Sequence, residues 1–268
     1  MPIDDPPPPR PSLRGVLSPV ARGIRKAIEH LGQYEFNVLA TAMAVVGAVL
    51  FFIWIADAVS EGETLRFDEW AVQALRRAND PAVPIGPAWL SEMGRDVTAL
   101  GGVGFLFLLT AIVAGFLWLQ RMYAAMALVV GSTLGGTVVS LVLKSFFDRP
   151  RPQLVPHLSI VHTSSFPSGH AMMSSAVFLT LGLLLGQFVD SLRLKAYFFI
   201  VALLMTFLVG CSRVYMGVHY PTDVLAGWAA GMAWALACGL VARSLRRRGL
   251  VEDLDVTTHN ARPESPAG

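Results

Sequence analysis

The sequence predicts an all-α, polytopic membrane protein: a bundle of six transmembrane helices with one amphipathic interfacial helix in its first outer loop. Three observations carry this expectation. Hydrophobic residues fill 54% of the 268 positions and charged residues only 15%, a balance far from that of a soluble domain. Six apolar runs, near 36–59, 98–119, 122–143, 169–189, 196–215 and 222–243, are long enough to cross a hydrocarbon core of roughly 30 Å. None of them alternates with the two-residue period of a barrel strand, and lipid offers no water to an open backbone, so the spans are expected to be α-helices.

Residues 1–35 read as a cytoplasmic, disordered and basic segment. Pro6, Pro7, Pro8, Pro9 and Pro11 make it too proline-rich to pack, and a short basic surface helix is expected only near 20–32. The first apolar run starts late, runs long and has no small-residue cleavage site after it, so it is expected to stay in place as a helix. The membrane domain then occupies 36–245, with an outer loop at 60–97. Within that loop Phe67, Trp70, Ala71, Val72 and Leu75 recur at helical spacing, which predicts an amphipathic helix over 66–78 resting among lipid headgroups. Residues 246–268 read as a disordered cytoplasmic tail.

An even number of spans puts both termini on one side, and the basic residues choose that side. Arg14, Arg22, Arg25 and Lys26 precede the first span, Arg121, Arg193 and Lys195 fall in short turns, and Arg243, Arg246, Arg247 and Arg248 follow the last. All lie on one face, which is therefore expected to be cytoplasmic. The arginines of the 60–97 loop are offset by Asp68, Glu69, Asp80, Glu92 and Asp96. A formal net charge of +2 is too small to imply a nucleic-acid partner. Three small-xxx-small pairs, Gly131 with Gly135, Gly182 with Gly186 and Gly227 with Gly231, are candidate sites of close helix approach. Cys211 and Cys238 sit in apolar runs, where a thiol behaves as a small hydrophobe, so neither a disulfide framework nor a thiolate metal site is expected. Trp54, Trp70, Trp89 and Trp118 fall near the expected interfaces.

Ionisable residues beside membrane spans are costly and so point to function. Here they gather in three places, all at span ends expected on the outer face. The first is Lys144 followed, after six intervening residues, by Arg151 and Pro152. The second is Pro167, Ser168, Gly169 and His170, and the third is Ser212 and Arg213, then His219 and Asp223.

Together Lys-x6-Arg-Pro, Pro-Ser-Gly-His and Ser-Arg-x5-His-x3-Asp resemble the signature of the type 2 phosphatidic acid phosphatase superfamily, complete and in order over residues 144–223. The resemblance implies a six-helix membrane phosphatase with His219, His170 and Asp223 as catalytic residues. It further implies that Lys144, Arg151, Ser168, Gly169 and Arg213 bind phosphate.

Physical chemistry supports those roles from the residue types. A phosphomonoester carries about −1.5 to −2 charges near neutral pH, and Lys144, Arg151 and Arg213 supply compensating cations. The arginines offer planar forks and the lysine a point charge. Pro150 and Pro152 hold the chain around Arg151 extended. Pro167 stands where a helix is expected to begin, so the N–H groups of Ser168, Gly169 and His170 face an anion with the helix dipole behind them. His219 and Asp223 are four apart on one helical face, so the carboxylate can hold one imidazole nitrogen and leave the other as nucleophile. His170 then serves as acid and base around a phosphohistidine intermediate. No cofactor or metal is expected, because Asp148 and Asp223 are the only carboxylates within the three motifs themselves.

Each residue also has a plainer reading. Lys144 alone is an ordinary snorkelling residue, and only its spacing to Arg151 reverses that. Asp223 would be favourable at a helix N-terminus on its own account. His157 and His162 read as plain loop residues, Tyr215 and Tyr220 as candidate walls of a headgroup pocket, and Asp148 and Arg149 either pair locally or reach the headgroup. The expected partners are a lipid phosphate and the bilayer of a cell inner membrane, with the site on the periplasmic face; the sequence assigns no oligomeric state. Undecaprenyl pyrophosphate is the first substrate expected, with phosphatidic acid or phosphatidylglycerol phosphate close behind. A phosphotransferase would use the same residues. A vanadate-dependent haloperoxidase is disfavoured by the spans, and a lipid-binding or transport role by the intact motifs.

Overall fold

A computed structural model describes residues 13–152 and 164–247. The proline-rich N-terminus, His157 and His162, and the tail from residue 248 onward lie outside the described residues. Ten elements follow in order: α1 (Leu13–Ser60), α2 (Leu65–Ala74), β1 (Arg76–Arg77), β2 (Asp80–Pro84), α3 (Ala88–Ala99), α4 (Val103–Leu119), α5 (Tyr123–Phe146), α6 (Gly169–Leu185), α7 (Leu192–Tyr215) and α8 (Pro221–Arg247). The protein is a multi-pass, predominantly helical membrane protein. The chain forms two units, divided between Thr41 and Ala42. The first unit, among the described residues, is the leading part of α1, a single helix in which Thr41 Oγ1 donates to the carbonyl of Asn37 at 2.7 Å. This helix starts at Leu13, well ahead of the basic helix expected near 20–32.

The second unit holds everything else, and the sequence expectation needs adjustment in three places there. Among the described residues, four helical stretches are long and apolar enough to cross a membrane: Glu35–Ser60, α5, α7 and Pro221–Leu245. A fifth crossing results if α3 and α4 are taken together, but they bend by 51° where one run from residue 98 was expected. The break falls at Gly101 and Gly102, the latter extended at φ −68° and ψ 143° as the N-cap of α4. A Cβ on Gly101 would lie 2.3 Å from Val209 Cγ1, so the bend lets the chain pass directly against α7. Finally, α6 ends at Leu185 and not near 189. Its 17 residues rise about 26 Å, shorter than the hydrocarbon core.

That short helix is the centre of the bundle. It packs against α4, α5, α7 and α8, and all ten residues from Ala171 to Thr180 are buried. A helix surrounded by protein need not be uniformly apolar, and Ser174, Ser175 and Thr180 lie on it fully enclosed. Ser132 Oγ meets Thr180 Oγ1 at 2.8 Å, and Thr110 Oγ1 meets Thr133 Oγ1 at 2.8 Å, polar ties of the kind that join helices in lipid. Close approach of α6 and α8 rests on Gly227 and Gly231. A Cβ on the first would lie 2.7 Å from the carbonyl of Ser168, and on the second 2.3 Å from that of Met172. The other two pairs contribute one glycine each: Gly135 against Trp234 and Gly182 against Ala202, while Gly131 faces open space. Cys211 and Cys238 are both free thiols.

The 60–97 segment is more structured than the loop expected there. The apolar residues of α2 divide: Val72 is buried, whereas Phe67 and Trp70 are exposed. An antiparallel pair follows, with Arg76 opposite Pro84 and Arg77 opposite Asp80. This hairpin is clamped to the end of α7, where Arg76 Nη2 donates to the carbonyl of Tyr215 at 2.7 Å and Tyr215 Oη donates to that of Ile85 at 2.7 Å. Thr98 on α3 adds a 2.6 Å contact to Ser212 on α7.

Candidate active site

The C-terminal ends of α5 and α7 and the N-terminal ends of α6 and α8 meet at one end of the bundle. Each motif of the sequence occupies one of those ends. Lys144 lies in the last turn of α5 and Arg213 in the last turn of α7. The carbonyls there and the cationic side chains complement each other. Beyond α5, Phe147 is extended, and the chain carries Arg149 and Arg151 back across the bundle end. Phe147 and Phe166 meet edge to face at 4.7 Å between centroids, with Phe52 of α1 against Phe166 at 5.9 Å. Phe166 is fully buried, so this aromatic cluster anchors both ends of the connection between α5 and α6.

Ser168 is the N-cap of α6; Pro167 precedes the cap, one step earlier than expected. Ser168 Oγ accepts from the N–H of Ala171, and the Ser168 N–H donates to the carbonyl of Asp223 at 2.9 Å. Ser168 Oγ thus caps α6 and its N–H ties α6 to α8, while the hydroxyl proton is left as the donor for the phosphate-binding role expected of it. The first-turn N–H groups of Gly169 and His170 have no acceptor among the described residues. Lys144 runs alongside them. Its Cε lies 3.4 Å from where a Cβ of Gly169 would stand, and its Nζ donates to the carbonyl of Ser164 at 2.9 Å.

His219 stands just ahead of α8 and is 2% exposed. Arg151 Nη1 lies 3.2 Å from His219 Nε2 and 3.2 Å from the carbonyl of Val218. A guanidinium only donates, so Nε2 is the accepting nitrogen and the ring proton sits on Nδ1, facing Asp223 Oδ2 at 3.3 Å. Burial holds the imidazole pKa down to about 4; Asp223 offsets part of this, and Arg213 and Arg151 reinforce it. His219 is therefore a neutral ring with its lone pair on Nε2 at neutral pH. His170 lies within electrostatic range of Arg213, His219, Arg151 and Lys144, so the six charged and imidazole groups of the three motifs form one cluster. Buried in it, the Nε atoms of Arg151 and Arg213 have no acceptor among the described residues. Such a concentration of inward-facing donors and positive charge is suited to an oxyanion with several oxygens.

One residue of the site was given no role from the sequence, and the role of a second was left open. Asp68 on α2 is fully buried, its Oδ2 accepting from Arg149 Nη2 at 2.6 Å and from Thr222 Oγ1 at 2.6 Å, its Oδ1 from the Thr222 N–H at 3.1 Å. Arg149, which the sequence left open, pairs locally, donating through Nη1 to Asp223 Oδ1 at 2.6 Å and lying 4.5 Å over the Tyr220 ring. Burial opposes its charge, but Asp223 and Asp68 outweigh that and raise its pKa. Asp148 is exposed. The only sequence signal for Asp68 is its position four before Val72, on the inward face of an amphipathic helix. Among the described residues, no three His, Cys, Asp or Glu side chains come together as a metal-ligand set.

Comparison with known proteins agrees with this geometry. The PAP2 superfamily model matches residues 124–247. Phosphatidylglycerophosphatase B of Bacillus subtilis is 35% identical over 193 residues, covering 70% of this chain and 89% of the relative. Undecaprenyl-diphosphatase of Sulfolobus acidocaldarius is 40% identical over a shorter stretch of 67 residues, 25% of this chain and 28% of the relative. The crystal structure of a transmembrane PAP2-type phosphatidylglycerolphosphate phosphatase from Bacillus subtilis superposes with a TM-score of 0.68 at 30% identity, covering 76% of this chain and 98% of that one. The fold and the cationic cluster define a membrane-embedded phosphatase, a hydrolase. The chain belongs to the PAP2 superfamily.

Proposed function

We propose that the protein hydrolyses a lipid phosphate or pyrophosphate on the extracytoplasmic side of a cell membrane, in two displacements through a phosphohistidine at His219. The orientation of His219 carries this reading: Asp223 holds Nδ1–H and leaves the Nε2 lone pair facing the cations. In the first step Nε2 bonds to the terminal phosphorus, the bond from that phosphorus to the lipid oxygen of a monoester or to the bridging oxygen of a pyrophosphate breaks, and protonated His170 gives its proton to that leaving oxygen. In the second, neutral His170 takes a proton from water as its oxygen bonds to phosphorus, and the bond to Nε2 breaks. Inorganic phosphate leaves, and both imidazoles return to their starting states. Lys144, Arg151, Arg213 and the free N–H groups of Gly169 and His170 stabilise the charge on the equatorial oxygens throughout.

Six crossings result when α3 with α4 counts as one and the shielded α6 as another. Arg121, Arg193, Lys195 and Arg243 then lie at the end away from the site, which supports cytoplasmic termini. Exposed Phe67 and Trp70 on α2 support contact with the headgroup layer. Among substrates, the long alignment with phosphatidylglycerophosphatase B favours phosphatidylglycerol phosphate. Undecaprenyl pyrophosphate, the first expectation from sequence, is second on the shorter match.

Phosphate release by the detergent-purified protein from phosphatidylglycerol phosphate, phosphatidic acid and undecaprenyl pyrophosphate tests the reading. We expect His219→Ala to abolish release while preserving the melting temperature. We also expect a base-stable, acid-labile phosphoenzyme in the parent. Undiminished turnover by His219→Ala, or a phosphoenzyme stable in acid, would overturn the proposal.

A further inference from the structure

We propose that Asp68 and Arg149 are positioning residues for the reaction at His219, joined with Asp223 in a buried series of alternating charges that reaches the nucleophile from the outer segment. The inference rests on the reading of His219 as nucleophile. Asp68 and Asp223 are separated by 155 positions in the chain yet share one guanidinium, each at 2.6 Å through a different Nη atom. Both carboxylates are fully buried and the arginine side chain is 11% exposed. The remaining Asp223 oxygen accepts the N–H of Tyr220 at 3.0 Å and faces His219 Nδ1. Thr222 fastens the series to α8, its N–H and hydroxyl both donating to Asp68 and its hydroxyl accepting from Arg149 at 2.9 Å.

The sum of charges decides what this arrangement does. One arginine between two carboxylates leaves the trio with a net charge of −1, next to an imidazole that becomes cationic when Nε2 bonds to phosphorus. The surplus negative charge thus stabilises the phosphoimidazolium in a region where water is scarce. Without the Asp68 charge, Arg149 neutralises Asp223 completely and the imidazolium loses its counter-charge. Asp68 therefore controls the electrostatics of a reaction it does not touch, and Arg149 fixes the Asp223 carboxylate in the plane that holds Nδ1.

Single-turnover measurement of phosphohistidine formation on the full chain in detergent, with dioctanoyl phosphatidic acid as probe, separates this role from a purely structural one. Asp68→Asn is expected to slow phosphohistidine formation and kcat by about tenfold or more, with KM within about twofold of the parent. Asp68→Asn combined with Arg149→Gln restores the net −1 charge on Asp223 and is expected to recover part of that loss, where a structural role predicts a further loss. Parental phosphorylation by Asp68→Asn, or a double variant slower than the single one, overturns the inference. If the single variant does not fold, the double variant is judged against the parent. A rate within about tenfold supports the inference, and a loss as deep as that of His219→Ala overturns it. Turnover by His219→Ala is a separate result, because it removes the nucleophile assignment itself.

Discussion

Arg151 and His219 meet through Nη1 and Nε2 at 3.2 Å, so the same guanidinium that marks the anion site also fixes which imidazole nitrogen carries the lone pair. A cation that only donates cannot face a protonated nitrogen at that distance, and the tautomer needed for attack on phosphorus is present before substrate binds.

Replacing Arg151 by lysine keeps the charge but gives up the fork that reaches Val218 and His219 from one nitrogen. We expect Arg151→Lys to lower kcat/KM by about 10- to 100-fold, read from steady-state phosphate release at several substrate concentrations.

The buried imidazole also makes stability depend on pH. The unfolded histidine titrates near pH 6.5 and the folded one at about 4, so between those values the unfolded chain binds a proton that the folded one refuses. The stability from this group is complete above about pH 6.5 and lost as pH falls to about 4, on the order of 3 kcal/mol in total. Melting curves of the parent and of His219→Gln should therefore shift relative to each other across that window, the parent losing more as the solution becomes acidic. The same shift places the acid limit that His219, as the proposed nucleophile, sets on kcat/KM near pH 4.

At the α6–α8 contact, Gly231→Ala would put a methyl group 2.3 Å from the Met172 carbonyl, whereas Gly131→Ala meets nothing within 4 Å. The first is expected to cost about 1–3 kcal/mol and to reduce kcat by separating His170 from His219. The second is expected to be neutral or stabilising by up to about 1 kcal/mol. Chemical denaturation of the two variants in the same detergent compares them directly.

The residues with a strong local signature were legible in the sequence. Long apolar runs located α5, α7 and α8 closely, and the three motifs identified Lys144, Arg151, His170, Arg213, His219 and Asp223, which the fold gathers at one bundle end. The bend between α3 and α4 was hidden because Gly101 and Gly102 lie inside a run whose mean hydropathy is unaffected by two glycines. Its signal is tertiary: Gly101 packs directly against Val209 on α7, a contact that no local run records. Asp68 was hidden for the opposite reason. A lone carboxylate in an acidic loop looks like a solvated charge until α2 folds against α8 and turns it toward Arg149 and Thr222, partners 81 and 154 residues away. Ser168 was recognised as important, but its capping of α6 and its bond to the Asp223 carbonyl depend on the angle between two helices, which no short motif records.

The enclosure of α6 has a consequence for how the enzyme responds to its host bilayer. Acyl chains press on Leu108, Ile112 and Phe116 of α4 and on Tyr197, Ile200 and Leu204 of α7, the exposed flanks that tilt when thickness changes. From Ala171 to Thr180 the central helix offers lipid no surface to push against. His170 stands at the start of that sheltered helix, so protein neighbours, more than lipid, set its register with His219.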